Sequence, residues 1–444
     1  MLEKVFKLKE KHTNAKTEII AGITTFLAMA YILGVNPNVL QDAGMDLSSV
    51  FMATALSAGI ASIIMGLVAN YPVALAPGMG VNALFAYTIC GQMGFSWQAA
   101  LAGVFISGVI FIVISVTGIR KMIINSIPKQ LKMAIGAGIG FFIAFVGLKN
   151  AGIVVASEAT GVALGNVSEP TVLLAIFGIL ITIFLVIKKV PAAVFIGMVI
   201  TAIVGIICGT AFGMEGMPTL PSSLLETNFE MNATGSFMEG FGQLFSDPVK
   251  AFVAIFSFLF VDFFDTAGTL VAIANKIGLV NEQGELENVE RALVADALGT
   301  VAGAALGTST VTSFVESSSG VGVGGRTGLT ACTTGMLFFI SVLFAPLVLS
   351  AVTNAVTAPA LVVVGIMMAQ QLKEIDWDDM VYATAGFITV VAMILTYSIS
   401  NGIAFGFIAY TVAMCAAGKA KEVHITVWLL MVIFVVYFAL PQFM

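Results

Sequence analysis

The chain has 444 residues, of which 59% are hydrophobic and 10% are charged, and its formal net charge is −6. Soluble domains carry about 25% charged residues, so this composition excludes an ordinary soluble protein and indicates a polytopic membrane protein. Metal-site spacing is absent from the sequence, and its two histidines, His12 and His424, lie outside the apolar runs. We therefore predict no metal, no cofactor and no nucleic-acid partner, and expect proton chemistry inside the membrane to use carboxylates.

In chain order, a Lys-rich polar N-terminal segment without a visible signal peptide is followed by two sets of seven apolar stretches. The first set covers approximately 18–36, 48–70, 72–91, 97–118, 131–150, 171–188 and 191–212. A polar, acidic connection spans 213–248, and the second set covers approximately 250–275, 291–306, 308–325, 327–350, 355–371, 380–397 and 401–417. A last apolar run, 424–442, fits neither set, and the sequence does not decide whether it spans the membrane.

Lysine and arginine mark the cytoplasmic side of a membrane protein. Nearly all of them fall on one side if the N-terminus is cytoplasmic and every stretch of both sets crosses the membrane; Lys149 and Lys250, at outer helix ends, are the exceptions. Seven crossings then place the two halves in opposite orientations, which is the arrangement of an inverted repeat. We expect a location in a bacterial inner membrane.

The third and tenth stretches are unlike ordinary spanning helices. Pro77 and Gly78 interrupt the third, and Gly, Ser and Thr dominate the tenth, which also carries Glu316. Paired interrupted segments at corresponding positions point to a transporter site near the middle of the membrane. Asn82, directly after the Pro-Gly interruption, is a candidate binding residue. These glycine-rich stretches also admit close helix packing as an alternative explanation.

The eighth stretch carries a polar stripe on an otherwise apolar helix. Asp262, Asp265, Thr266 and Thr269 follow the i, i+3, i+4, i+7 spacing of one helical face. A charged side chain at mid-membrane costs about 2.5–3.5 kcal/mol on insertion scales, so it usually faces a cavity or a partner. We expect substrate or protons to bind there. Asp296, in the ninth stretch, is either a structural partner or a proton-coupling group.

Four motifs in the correct order resemble the AzgA-like purine permeases, a branch of the nucleobase–ascorbate (nucleobase-cation-symporter-2) transporters. They are the opening run Glu18–Tyr31, the segment Ala76–Ala83, the segment Phe263–Thr269 and the segment Thr312–Gly320. The resemblance covers essentially the whole chain and extends to the bacterial hypoxanthine/guanine permeases within that branch.

The resemblance implies the fold of the uracil permease, an all-α membrane protein of fourteen segments in a seven-plus-seven inverted repeat. The short third and tenth segments of that fold contain brief extended stretches that pair near the site. The implied division is a cytoplasmic segment 1–17, a core domain (18–130 and 249–350), a gate domain (131–212 and 351–417), an extracellular connection 213–248 and a C-terminal apolar segment 418–444. A homodimer is implied by the resemblance alone.

The resemblance also implies residue roles. Asp265 and Glu316 match the acidic positions that contact the base, and Asp262 and Asn82 match polar positions important for transport. Thr269 stands where related uracil permeases carry a histidine, which shifts proton coupling to the candidates Asp262, Asp265, Glu316 and Asp296. Phe26, Phe264 and Phe314 are candidates for stacking on the base, with core packing or lipid contact as the alternative.

The hypothesis from the sequence is proton symport of guanine or hypoxanthine, with adenine as a further candidate, through alternating access. The alternatives are a uracil/xanthine carrier or an anion exchanger on the same fold, although an anion site would favour a cation over two acids. An intramembrane aspartyl protease is disfavoured because its motifs are missing, and a channel because broken segments at a midplane site suit a carrier. The preferred purine and the choice between proton and sodium coupling stay open.

Overall fold

A computed structural model describes residues 2–117, 126–221, 223–226, 231–277 and 289–439. The first half contains α1 (Leu2–Phe6), α2 (Ala15–Met29), α3 (Ile32–Gln41), α4 (Leu47–Ile64), β1 (Leu75–Pro77), α5 (Met79–Ala83), α6 (Trp97–Val116), α7 (Lys129–Asn150), β2 (Val154–Ser157), β3 (Gly161–Leu164), α8 (Pro170–Ile187) and α9 (Ala193–Phe212). The helices α4 and α5 continue as wider π-helical turns, Met65–Ala69 and Leu84–Gln92.

The second half begins with the short helix α10 (Phe237–Leu244) and the 30-residue helix α11 (Pro248–Ile277). It continues with α12 (Val289–Leu306), β4 (Val311–Ser313), α13 (Ser317–Gly322), α14 (Gly328–Ser341), α15 (Ala345–Ala351), α16 (Asn354–Ala369), α17 (Met380–Leu395), α18 (Ile399–Ala416) and α19 (Ile425–Ala439). Short 3-10 turns lie at Val342–Phe344, Gln370–Glu374 and Ala420–Glu422.

The protein is a helical, polytopic membrane protein. Within the described residues, nine helical spans are long and apolar enough to cross a membrane: Ala15–Gln41, Leu47–Ala69, Trp97–Val116, Lys129–Asn150, Pro170–Ile187, Ala193–Phe212, Gly328–Ala351, Asn354–Glu374 and Ile399–Ala416. Two shorter apolar helical stretches are Met380–Leu395 and Ile425–Val436. Helices suit this environment because they satisfy their own backbone hydrogen bonds where water is absent.

Local sequence sets where several helices begin. Asp46 accepts a hydrogen bond from the Ser49 amide at 2.8 Å and caps α4, and Asp379 accepts one from the Val381 amide at 2.8 Å and caps α17. Such side chains satisfy amide groups that the first helical turn leaves unpaired. Pro170 occupies the start of α8, where its missing N–H removes no helical hydrogen bond.

The third and tenth stretches are interrupted and pair with each other. The strands β1 and β4 form a two-stranded antiparallel sheet in which Ala76 lies opposite Thr312. The Gly78 amide donates to the Thr310 carbonyl, and the Phe314 amide donates to the Ala74 carbonyl, each at 3.0 Å. The two interrupted segments therefore satisfy part of their backbone through each other, deep inside the protein.

Several elements differ from the sequence-based expectation. The stretch 327–350 is one candidate span, as predicted, but it contains two α-helices, because the 3-10 turn Val342–Phe344 separates α14 from α15, which has Pro346 in its first turn. The connection 213–248 contains α10, and the hairpin of β2 and β3 lies in a region for which no strand was predicted. Arg120 and Lys121, which contributed to the predicted orientation, and residues 440–442 of the last apolar run lie outside the described residues.

Candidate functional site

The polar stripe of α11 lies inside the protein. Asp262 and Thr266 are completely buried, Thr269 is buried, and Asp265 is partly buried. These four residues share a helical face because they recur at intervals of three and four residues. The stripe therefore faces protein and not lipid, and α11 contacts both β4 and α5.

Gly78 brings the backbone of the third segment against this stripe. A Cβ atom at Gly78 would collide with the methyl group of Thr312 and would lie 3.2 Å from the Asp265 carboxylate oxygen Oδ2. Glycine is thus required for close approach at this position, where φ is −75° and imposes no strain of its own. This contact places the Asp265 carboxylate beside the end of the β1–β4 pair.

Asp296, which the sequence left between two interpretations, terminates a chain of buried hydroxyl groups. The Thr266 hydroxyl donates to Asp296 Oδ1 at 2.7 Å, and the Thr266 and Thr312 hydroxyls lie 2.8 Å apart. Ser313 also donates to Asp296 Oδ1, at 3.3 Å. These hydrogen bonds connect α11, α12 and β4 through Asp296. They support the structural interpretation of Asp296, and its part in proton coupling stays a prediction.

Glu316, at the start of α13, is held by a residue that the motif analysis did not single out. The hydroxyl of Tyr31 donates to Glu316 Oε1 at 2.5 Å, and Tyr31 is buried. Tyr31 and Asp265 interact electrostatically, as do Asp265 and Glu316. The structure therefore brings together the two acids that the sequence nominated and adds a phenol to them. The sequence signal was only that Tyr31 ends the first motif.

Asn82 is completely buried just after the interruption of the third segment. Its carbonyl oxygen accepts a hydrogen bond from the Ser309 hydroxyl, while its Nδ2 has no partner among the described residues. Asn82 lines a small apolar cavity together with Val35, Val39, Met79, Ala83, Ile143, Val146 and Leu361. An amide donor is thus available at the wall of an otherwise apolar space.

Two of the three predicted aromatic residues, Phe26 and Phe264, are packed against other rings. Phe264 contacts Phe260 and Phe407 with ring centroids 4.7 and 6.1 Å away, and Phe26 meets Phe338 edge-on at 5.1 Å. These contacts give both side chains a packing role. Their stacking on a substrate ring stays a prediction.

A second polar cluster, missed by the sequence analysis, connects segments that are distant in the chain. The Tyr87 hydroxyl donates to Asp42 Oδ2 at 2.8 Å and accepts from Asn150 Nδ2 at 2.8 Å. The Tyr397 ring packs 5.5 Å from the Tyr87 ring, and the Lys149 ammonium lies 4.3 Å from the centroid of Tyr397. We call these five residues the Tyr87 cluster.

The arrangement around Asp265 and Glu316 suits recognition of a polar ligand through hydrogen bonds. Carboxylates accept N–H groups, and interrupted backbone segments offer further donors and acceptors. Among the described residues, no group of three or more His, Cys, Asp or Glu side chains is placed to hold a metal ion.

Comparison with known proteins gives a family match over most of the chain. Residues 16–405 match the model of the Permease family (Xan_ur_permease). The guanine/hypoxanthine permease PbuG of Bacillus subtilis is 48% identical over 449 residues, covering 98% of each chain. The adenine permease AdeP of Escherichia coli is 41% identical, covering 98% of this chain and 95% of the relative.

Among solved structures, the transmembrane domain of the bicarbonate transporter BicA, from a cyanobacterium, has the same fold. It superposes with a TM-score of 0.60 at 16% identity, covering 89% of this chain and 97% of that chain. From its sequence and its relatives, the chain belongs to the permease family and is a membrane transporter, not an enzyme.

Proposed function

We propose that this chain imports purine nucleobases, with guanine and hypoxanthine as substrates and adenine as a further candidate. The proposal rests on the proximity of Asp265 and Glu316, which lie within electrostatic range of each other beside the β1–β4 pair, in a chain 48% identical to a guanine/hypoxanthine permease. Guanine presents two adjacent N–H donors, N1–H and its 2-amino group, and hypoxanthine presents N1–H. Carboxylate oxygens are suitable acceptors for these donors.

The other residues surround this contact in the proposed mechanism. Asn82 offers its free Nδ2 to an acceptor on the base, and Thr269 lies one helical turn beyond Asp265 on the same face. Phe26 and Phe264 contribute ring surface. These assignments are supported by position, since Asn82 lies on α5, the helix α11 with Thr269 and Phe264 contacts α5 and β4, and α2 with Phe26 contacts α13.

The crowding of carboxylates in the same region supports proton coupling as part of the proposal. Asp265 interacts electrostatically with both Asp296 and Glu316, and Asp262 lies one turn earlier on α11. Neighbouring carboxylates repel each other when all are ionised, so a proton bound with the substrate removes part of that repulsion. We propose that these four acids share the transported proton, and that the proton gradient thereby drives uptake.

Alternating access completes the proposal. Fourteen segments in a seven-plus-seven inverted repeat would form a core domain (18–130 and 249–350) that moves against a gate domain (131–212 and 351–417). The N-terminus would lie in the cytoplasm and the chain in the inner membrane. The fold shared with the membrane domain of another transporter supports this arrangement.

The test is uptake of radiolabelled hypoxanthine by energised cells that lack their own purine carriers. Wild type should accumulate hypoxanthine, a protonophore should abolish accumulation, and excess unlabelled guanine should block it. Glu316→Gln and Asp262→Asn should each greatly reduce uptake at unchanged membrane levels, whereas Glu239→Gln, on the exposed surface of α10, should not. Wild-type rates in the first two variants would refute the assigned roles. Blocking by uracil or xanthine instead of guanine would identify a different substrate.

A further inference from the structure

Tyr31 donates a hydrogen bond to Glu316, the carboxylate that contacts the base in the proposed function. Its hydroxyl lies 2.5 Å from Glu316 Oε1, and its side chain is 1% exposed. It follows Ala30 at the interruption between α2 and α3, and both residues keep helical dihedral angles, so the two helices remain one span. Tyr31 is therefore a buried side chain on a continuous helical span.

This contact limits how Glu316 can bind a ligand. Two adjacent N–H donors, such as N1–H and the 2-amino group of guanine, bind a carboxylate best when they face both of its oxygens at once. Because Oε1 already accepts the Tyr31 hydroxyl, it has only its remaining lone pair to offer a ligand, and its bond to substrate is weakened. The second acid, Asp265, is confined on one side by the backbone at Gly78.

Resting on the proposed function, we infer that Tyr31 is a specificity-determining residue that competes with substrate for Glu316 Oε1 and so weakens the second of the two hydrogen bonds that this carboxylate could make to a base. Glu316 then accepts its main hydrogen bond from N1–H, which guanine and hypoxanthine share. The 2-amino group of guanine adds little affinity through Glu316. Tyr31 thus narrows the difference in affinity between these two purines and lets one site accept both.

The test compares inhibition constants of unlabelled guanine and hypoxanthine against labelled hypoxanthine uptake, in wild type and in Tyr31→Phe. Phenylalanine keeps the ring and removes the hydroxyl, so both oxygens of Glu316 become available. The ratio of the hypoxanthine constant to the guanine constant should rise about tenfold, the effect of roughly one added hydrogen bond. A purely structural role of the hydroxyl would change both constants by the same factor.

Two controls make the outcome specific. Tyr382→Phe removes a phenol hydroxyl that lies in another aromatic contact, with Tyr410, and should leave the ratio at its wild-type value. In a Glu316→Gln background, Tyr31→Phe should no longer change the ratio, because the effect acts through the carboxylate. In the Glu316→Gln background, the ratio of the hypoxanthine to the guanine constant is measured by equilibrium binding to purified protein, because binding does not require transport.

An unchanged ratio in Tyr31→Phe, or an equal change with and without the Glu316 carboxylate, overturns the inference. Absence of any purine binding by wild-type protein would instead refute the proposed function, so the two failures are distinguishable. If Tyr31→Phe does not reach the membrane, binding to the detergent-purified Tyr31→Phe and wild-type proteins gives the same ratio.

Discussion

At the residue scale, hydroxyl groups donate hydrogen bonds to buried carboxylates at the centre of this transporter. Tyr31 donates to Glu316, and Thr266 donates to Asp296 and is hydrogen-bonded to Thr312. A buried carboxylate without donors is unfavourable, so these hydroxyls stabilise the folded site as well as orienting it. Sequence reasoning singled out Asp262 and Asp265 through the helical spacing of α11, and Glu316 through the interrupted tenth stretch, but the donor to Glu316 lies 285 positions away in the chain. Local patterns contain no information about such a pairing.

Replacing Thr266 with valine tests the hydroxyl chain. The isosteric change removes the 2.7 Å donor to Asp296, and we expect a loss of about 1–3 kcal/mol of stability together with reduced uptake. Thermal unfolding of detergent-solubilised protein measures the first effect and hypoxanthine uptake the second. Thr210→Val is the matched control, because this exposed hydroxyl bonds to the Ile206 and Ile207 carbonyls of its own helix. Equal behaviour of the two variants would contradict the assigned role of Thr266.

At the element scale, the pairing of two interrupted segments builds the site. The sequence indicated both interruptions, since Pro77 and the Gly/Ser/Thr content of residues 307–325 disfavour continuous helices. Their mutual register could not be derived from the residues, because it depends on the packing of segments more than 200 positions apart. The break before α15 was also missed, although Pro346 marks it in the sequence.

Gly78→Ala tests the close approach of these segments to Asp265. The added methyl group meets Thr312 and comes within 3.2 Å of the Asp265 carboxylate, and overpacking of this kind costs about 1–3 kcal/mol. We expect strongly reduced purine uptake at normal membrane levels. Gly322→Ala, at the end of α13 where a Cβ would meet nothing within 4 Å, is the control and should transport normally. Normal uptake by Gly78→Ala would show that the site tolerates separation of the two segments.

At the scale of the whole molecule, the Tyr87 cluster joins parts that the proposed mechanism moves relative to each other. Asp42 and Tyr87 belong to the proposed core domain, while Lys149, Asn150 and Tyr397 belong to the proposed gate domain. Asn150 ends α7 on the side proposed to face outside the cell. The hydrogen bond between Tyr87 and Asn150 should therefore break whenever the site opens to that side.

Cross-linking tests this movement. In a chain whose native cysteines are replaced, a short bismaleimide should join Cys residues introduced as Tyr87→Cys and Asn150→Cys. We expect the linked protein to lose uptake, since the two domains can no longer separate. Each single-cysteine variant treated with the same reagent controls for modification alone. Full transport by the linked protein would contradict a relative movement at this contact.

The most direct test of the central claim uses purified protein in liposomes with an imposed proton gradient, acidic outside. Liposomes with wild-type protein should accumulate labelled hypoxanthine above its external concentration, accumulation should collapse when the gradient is dissipated, and excess guanine should prevent it. Liposomes with Glu316→Gln protein should not accumulate it. Hypoxanthine accumulation that is independent of the gradient would contradict proton symport, and equal accumulation by Glu316→Gln would contradict a binding site built on Asp265 and Glu316.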